Sequence, residues 1–296
     1  MKAVLTLICT LLLPDFPSAS AIEYQDGRLY LIGDDATSIL VLDTAYQPVK
    51  QISIAASAEK RIPKAVKADY EASALIPWYG YTYLMASGSL ATEKRRQLLL
   101  VPLPAADSHE ILPYPAAFIA QLQQSAIKEL NIEGATLIGD HLLLSNRGNN
   151  TWPENHFILT KPGFWEKDFP LSVVPVTLVT PTPVFAGISE LCYVAGKDLL
   201  LCTFSSEATA NAYDDGAIGD SYIGWISNIS RKLSQNTLAV DGLLNLTATD
   251  PAFKGEKIEG ICVESIQDNQ LTLHLVSDND AGSSRLFKVN LIFKAE

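Results

Sequence analysis

Cysteine, methionine and positive charge are all scarce in this chain of 296 residues, and each shortage removes a class of explanation. Four cysteines (Cys9, Cys192, Cys202, Cys262) are too few to frame a fold of this length, and no CxxC or Cys/His spacing offers a zinc site. Cys192 and Cys202 fall in apolar runs of successive expected strands, which reads as buried free thiols. Lysine and arginine number 22 against 33 acidic residues, a net charge of −11. No basic stripe exists to neutralise phosphates, so non-specific binding to nucleic acid or to an anionic membrane is excluded; Lys94-Arg95-Arg96 is the one dense basic cluster. The chain also lacks a Gly-rich phosphate loop, a dinucleotide fingerprint and a G-x-S-x-G elbow. Its four histidines (His109, His141, His156, His274) show no partner pattern for a triad. No Pro/Gly/Ser-rich linker divides it, so residues 1–296 read as a single domain.

What the chain does have is repetition. An apolar triplet running into small or polar residues occurs five times, at Leu29, Tyr83, Leu142, Leu199 and Leu273, with intervals of 54 to 74 residues. A glutamate precedes each triplet: Glu23, Glu71, Glu133, Glu190 and Glu259. Around each triplet lie runs of four to eight β-favouring residues bounded by Gly, Asp or Asn turns, the signature of hairpins. Helical periodicity is weak, with residues 115–130 the best exception. Four antiparallel strands cannot bury both of their faces alone, so the units must stack. Radial closure does this and leaves only short, protected edges. The expected fold is therefore all-β, a β-propeller of five four-stranded blades, or six if residues 205–258 conceal a degenerate unit. The fourth blade is expected to take residues 237–240 as its last strand.

The fifth unit runs out of chain after three strands. Residues 4–13 have the length and composition to supply the fourth, with Pro14 and Pro17 ending the strand before the first blade begins. The same segment, with a basic start, an 11-residue apolar run and small residues after it, also fits a secretory signal. The first reading implies a cytoplasmic protein, the second a periplasmic or secreted one. At 11 residues the run is too short to span a bilayer.

In a propeller the inner strands line an axial channel, so the five glutamates are expected to gather near one mouth. Crowded carboxylates must take up protons, pair with arginine or bind a cation. Arg147 and Arg285 follow the two Glu-Gly repeats at Glu133 and Glu259, and Arg95 or Arg96 follows Glu71. As a set, the glutamates read best as fasteners that cap backbone N–H groups or pair with arginine across blades. The loop residues that differ between blades are the better functional candidates: Asp34 and Asp35, then Asn146, Arg147 and Asn149, then Asp278, Asn279 and Asp280. Their hard oxygen atoms suit Ca²⁺ or Mg²⁺. The run 278–283 has part of a calcium loop's spacing without its distal glutamate, and reads equally as an Asx-rich turn. Residues 205–221 form the longest polar insertion, carrying Tyr213-Asp214-Asp215-Gly216 as a lid, a ligand loop or a plain surface loop.

Three segments carry a family resemblance: Lys67-Ala68-Asp69-Tyr70-Glu71-Ala72; Asn131-Ile132-Glu133-Gly134-Ala135 with 143–149; and Ile258-Glu259-Gly260-Ile261 with 276–280. Together with residues 17–21 and 29–35 they make the chain similar to a family of uncharacterised bacterial β-propeller proteins related to the "esterase-like activity of phytase" group. Propeller phytases hold several calcium ions that bind phosphate. The resemblance therefore implies Glu133, Glu259, Arg147, Arg285, Asp278 and Asp280 as positions to test, and Ca²⁺ as the cofactor. Two functions follow as expectations. One is a monomeric propeller that binds a small molecule or a protein at the channel mouth, with Asp34, Asp35, Asp278 and Asp280 around a metal and Glu23, Glu71, Glu190, Asn146 and Asn279 lining the channel. The other is a metal-assisted hydrolase of a phosphoester or ester, in which Ca²⁺ neutralises developing charge and a channel glutamate is the base.

Overall fold

The computed structural model describes residues 2–55, 60–106, 108–166, 170–214, 216–278 and 282–294. Strand β1 (Lys2–Leu13) comes first. The first blade is β2 (Ala19–Gln25), β3 (Arg28–Gly33), β4 (Ser38–Asp43) and β5 (Pro48–Ser53). The second is β6 (Tyr70–Trp78), β7 (Tyr81–Gly88), β8 (Gln97–Leu103) and β9 (Glu110–Pro113), followed by the short helix α1 (Ala116–Gln123). The third is β10 (Ile132–Ile138), β11 (His141–Asn146), β12 (Asn155–Thr160) and β13 (Ser172–Leu178). The fourth begins with β14 (Ala186–Val194), β15 (Leu199–Glu207) and β16 (Ile218–Ser227), then β17 (Leu238–Val240) and β18 (Gly242–Asn245) follow in the chain. The fifth is β19 (Lys257–Gln267), β20 (Gln270–Asp278) and β21 (Ser284–Lys294).

Each inner strand (β2, β6, β10, β14, β19) packs beside the next, and β19 returns to β2, so five blades close a ring. Five apolar clusters fill the five gaps between neighbouring blades. The gap between blades two and three also takes Phe118, Ile119 and Leu122 of α1. This division explains why strands read as apolar on both faces. Each sheet is sandwiched between two others, so alternation is lost and only the outer strands show it.

Tight turns join the inner hairpins. At Asp26-Gly27 and Tyr79-Gly80 both central residues have positive φ, the turn whose twist matches a hairpin.

Two expectations about edges meet different fates. Strand β1 pairs antiparallel with β21 from Lys2↔Lys294 to Leu13↔Ser284, and so completes the fifth sheet. The fourth blade departs from expectation, because β17 leaves it and pairs parallel with β13 at the edge of the third. The outer strand of the fourth blade is instead β18, paired with β16 from Tyr222↔Asn245 to Trp225↔Gly242. Gly242 makes this approach feasible, since a Cβ there would lie 2.1 Å from the Trp225 ring. Residues 205–258 hold a loop, these short strands and helical turns rather than a sixth blade.

Candidate functional site

The same irregularity marks every inner strand. Pairing with the second strand slips by one residue between Ala19 and Ala21, Tyr70 and Ala72, Ile132 and Gly134, Ile188 and Glu190, and Ile258 and Gly260. Each slip is a β-bulge that re-aims the extra side chain. The bulged residues are Ser20, Glu71, Glu133, Ser189 and Glu259. Only three of the five glutamates are therefore equivalent, which corrects the expectation that all five gather at one mouth. Glu190 lies one residue past its bulge, and Glu23 three residues past.

The position after the bulge forms a waist. It is Ala21, Ala72, Gly134 and Gly260 in four blades and Glu190 in the fourth. Backbones approach closely here: a Cβ on Gly134 would meet Glu190 Cα at 2.9 Å, and one on Gly260 would meet Ile22 N at 3.0 Å. Glu190 is 1% exposed and fills the remaining space. Its carboxyl accepts the N–H of Ala135 at 2.8 Å, of its own neighbour Leu191 at 2.8 Å and of Ser73 at 3.4 Å, so it ties three blades together. Burial pushes its pKa well above the usual carboxyl range, against the pull of those donors.

Among the described residues, Glu190 is the one glutamate of the five that fastens blades by capping backbone N–H groups. Elsewhere the seams are held by smaller groups. Ser20 Oγ donates to Tyr70 O at 2.5 Å, and Ser284 Oγ accepts from Ala19 N at 2.8 Å. Asn155 bridges Ala186 O and Ile188 N, and Ser221 bridges Glu256 O and Ile258 N.

Above the waist lies a charged mouth. Single carboxylate oxygens of Glu71, Glu133 and Glu259 all lie within 4.8 Å of one another, and so do those of Asp34, Asp69 and Glu71. Glu71 is thus the shared vertex of two triads. Among the described residues it makes no side-chain hydrogen bond or ion pair, whereas the groups around it are all engaged. Lys67 bridges Asp34 and Asp69, the latter at 2.7 Å, and Arg95 holds Asp69 at 2.6 Å. On the other side Lys257 bridges Glu259 at 2.7 Å and Glu207 at 3.2 Å, and Arg147 bridges Glu207 at 3.3 Å and Glu133 at 3.5 Å. Burial raises Glu71 well above the ordinary carboxyl value, and the charges of Asp69 and Glu133 add to this. Burial likewise carries Glu259 up to about 8 and Asp34 up to about 7, despite Lys257 and Lys67. Glu207 is shifted the other way: burial is outweighed by Lys257 and Arg147, which hold it below the usual range.

The long insertion between β15 and β16 covers this mouth. Thr209, Asn211, Ala212, Tyr213 and Asp214 line it, and Glu207 at its root takes the N–H of Gly216 at 2.8 Å. The Tyr213 ring lies 5.1 Å from Lys64 Nζ and 5.1 Å from the Arg95 guanidinium carbon. The cavity, partly open to solvent, measures about 70 Å³. That is room for a few waters or a compact head group and not for a whole drug-sized molecule.

Of the residues expected here, Asp34, Glu71, Glu133, Arg147, Asn149, Glu259 and Asp278 line the mouth. Asp35 does not; it pairs with Arg61 at 2.7 Å on the outer side of its loop. Arg285 turns to Glu256 at 2.7 Å rather than to Glu259, because Glu256 sits across the β20–β21 hairpin and also takes Ser277 Oγ. Asn146 is spent on its own loop, accepting from Asn131 N and donating to Glu129 O. Glu23 is below the waist. Asn279, Asp280 and Asp215 lie outside the described residues. Sequence reading passed over Lys67, Lys257 and Glu207. The first two were legible as Lys-x-Asp-x-Glu at residues 67–71 and Lys-x-Glu at 257–259, a cation two residues before a carboxylate it serves. Nothing local marks Glu207, which reaches the mouth only through the ring.

Residues 15–291 match the model of a family of unknown function, DUF6929, and the chain belongs to that family. Comparison with curated proteins gave no match. Among solved structures the chain is similar to glutaminyl cyclase of Myxococcus xanthus, at 16% identity and a TM-score of 0.59, covering 99% of this chain and 98% of that one. It is also similar to a GH43 β-1,3-galactosidase, at 11% identity and a TM-score of 0.50, covering 92% of this chain and 56% of the other. At these identities the likeness establishes a shared propeller fold.

Proposed function

We propose that this member of the family binds a small, positively charged ligand at the channel mouth, with Glu71 as its principal contact. One observation carries the reading. Glu71 is shared by two carboxylate triads and makes no ion pair among the described residues, while Lys67, Arg95, Arg147 and Lys257 are paired with its neighbours. An incoming positive centre, either a divalent metal ion or an alkylammonium group, displaces the protons that burial holds on Glu71 and Glu259. Binding is then coupled to proton release and tightens as pH rises. The carboxylate oxygens are hard donors that suit Ca²⁺, and Asp34 and Asp278 are the expected metal residues at the rim. With residues 208–214 over the mouth, only the head group of a larger ligand fits.

The test is calorimetric titration with Ca²⁺ and, separately, with putrescine, at pH 6.0 and 8.5, in buffers of different ionisation enthalpy. One of the two is expected to bind at least tenfold more tightly at the higher pH, to release protons, and to be lost in Glu71→Gln. Absence of binding by both at millimolar concentration and pH 8.5 would overturn the proposal.

A second reading, catalysis, is favoured by a separate observation. Glu259 and Glu207 share Lys257 yet are shifted in opposite directions, a proton-holding acid beside a carboxylate that stays charged. Such a pair suits acid–base chemistry on an ester, a phosphoester assisted by Ca²⁺, or an amide of the kind a glutaminyl cyclase handles. Turnover of any of these that disappears in Glu259→Gln, with the fold intact, would support it. Unchanged turnover in that variant would count against it.

A further inference from the structure

The far end of the channel differs from the mouth in every respect that matters to a ligand. Below the Glu190 waist the inner strands line a partly open chamber of about 280 Å³. Its walls are mixed, about as polar as apolar, with Leu75, Leu137, Leu191 and Val263 on the apolar side. Four polar groups and two thiols supply the rest: Tyr24, Glu23, Thr136, Tyr193, Cys192 and Cys262. Counted from the bulges, Glu23, Thr136, Cys192 and Cys262 occupy the same level of four different blades, with Ala74 on the fifth. They therefore form one ring around the chamber, a level below Glu190 and separated by it from the mouth.

Two of these groups have hydrogen-bonding capacity that the protein does not use. Glu23 Oε1 accepts Ser73 Oγ at 3.1 Å, and Oε2 has no partner among the described residues. Thr136 Oγ1 accepts the N–H of Tyr193 at 3.1 Å, which leaves its own proton free. No lysine, arginine or histidine lines the chamber among the described residues. An ionised Glu23 would face Glu190 and the thiols Cys192 and Cys262 with no counter-ion, so the carboxyl keeps its proton at neutral pH. Burial lifts it to about 8. The thiols are inert as nucleophiles, since burial first and then the Glu23 charge push Cys192 up, and burial and Cys192 push Cys262 up.

We propose that this chamber is a second binding site, distinct from the mouth, for an uncharged, part-apolar small molecule whose carbonyl oxygen accepts hydrogen bonds from the Glu23 carboxyl and the Thr136 hydroxyl. The pattern is that of a small-molecule pocket: concave, part apolar, with a few polar groups that fix orientation. A cationic ligand is the wrong class here, because Glu23 is the one carboxyl among the described residues that line the chamber and would have to give up its proton to pair with it. An anionic ligand is the wrong class too, because no lysine, arginine or histidine among those residues could pair with it.

The probe is 2-piperidone, an uncharged lactam, titrated by NMR against the full chain at pH 6.0 and 9.5, with n-butylamine as the charged comparison. The lactam is expected to bind at pH 6.0 and to weaken at least fivefold at pH 9.5, as Glu23 ionises. Glu23→Gln retains a donor, and should keep the affinity while losing the pH dependence. Glu23→Leu should lose affinity tenfold or more. A crystal soak of the unaltered protein should place the lactam oxygen within hydrogen-bond distance of Glu23. Failure of the lactam to bind at 50 mM, equal affinity in Glu23→Leu, tighter binding of n-butylamine, or lactam density only at the mouth would each overturn the proposal. Glu71→Gln should leave lactam binding unchanged, so failure at the mouth and failure in the chamber are separable.

Discussion

The mouth and the far chamber are built from the same five strands, only three residues apart in the first blade, yet they handle carboxyl groups in opposite ways. At the mouth, carboxylates are crowded but served: Lys67 and Arg95 answer Asp34 and Asp69, and Lys257 and Arg147 answer Glu207, Glu259 and Glu133. In the chamber a lone carboxyl, Glu23, meets a serine hydroxyl and no cation. The reason is where each end draws its residues from. The mouth collects side chains from bulges, strand starts and the loop after β15, which are long and polar. The chamber collects mostly strand positions, where Leu75, Leu137, Leu191 and Val263 stand beside a few uncharged polar groups. Charge can be stored at one end and excluded from the other because Glu190 closes the waist between them.

The severest way to break this comparison is to remove the waist. Glu190→Ala leaves three backbone N–H groups without an acceptor and opens a void between the two cavities. Urea unfolding should show a loss of about 3–5 kcal/mol. A loss below about 1 kcal/mol would mean that the waist does not fasten the blades. Next in size is Lys257→Met, which strips Glu207 and Glu259 of their shared cation. About 2–4 kcal/mol should disappear at pH 8, and less at pH 5, where the carboxyls accept protons; equal losses at both pH values would contradict the ion-pair account.

Glu23→Gln sharpens the contrast in the other direction, because it is expected to stabilise. The folded carboxyl titrates at about 8 against an unfolded value near 4.5, so the folded state holds a proton that the unfolded state has lost. Stability is full below the unfolded value and declines as pH climbs from there through the folded one. The amide has no proton to lose. It should therefore gain about 2 kcal/mol over the unaltered protein at pH 8, after discounting for water in the chamber, and almost nothing at pH 4.5. A pH-independent difference in the unfolding midpoints would refute this. Smallest of all, Tyr213→Ala removes a ring resting on Lys64 and Arg95, and should cost about 0.5–1 kcal/mol in thermal unfolding at low salt. A larger change would show the ring to be part of the core.

Much of the ring was legible in the chain. Repeating triplets with turns between them announced hairpins, and the five triplets pointed to five blades, with six left open. The last unit, one strand short, pointed to residues 4–13 as its closing strand, with a secretory signal as the alternative, and β1 does close the fifth sheet. Two features misled. Residues 237–240 have the composition of a strand, and they are one, but composition cannot say which neighbour a strand joins; β17 crosses to the third blade. The glutamates looked equivalent because one precedes each triplet, although the spacing runs from 6 to 14 residues. A bulge shifts register by a single residue, and spacing read from sequence does not resolve one residue. Glu190 and Glu23 were therefore grouped with Glu71, Glu133 and Glu259, though they belong to two other levels of the channel.

By itself the sequence determined that the chain forms short paired strands in repeated sets, five or six of them, and it offered the first segment as a strand able to finish the last sheet. These follow from local patterns of burial and turn chemistry, which act within a few residues. Only the tertiary structure decided which carboxyls meet a cation and which keep a proton. Such contacts join residues such as Glu133, Arg147, Glu207 and Lys257 from three blades. They depend on closure of the ring and on bulges that aim each side chain, and neither is written in any one strand.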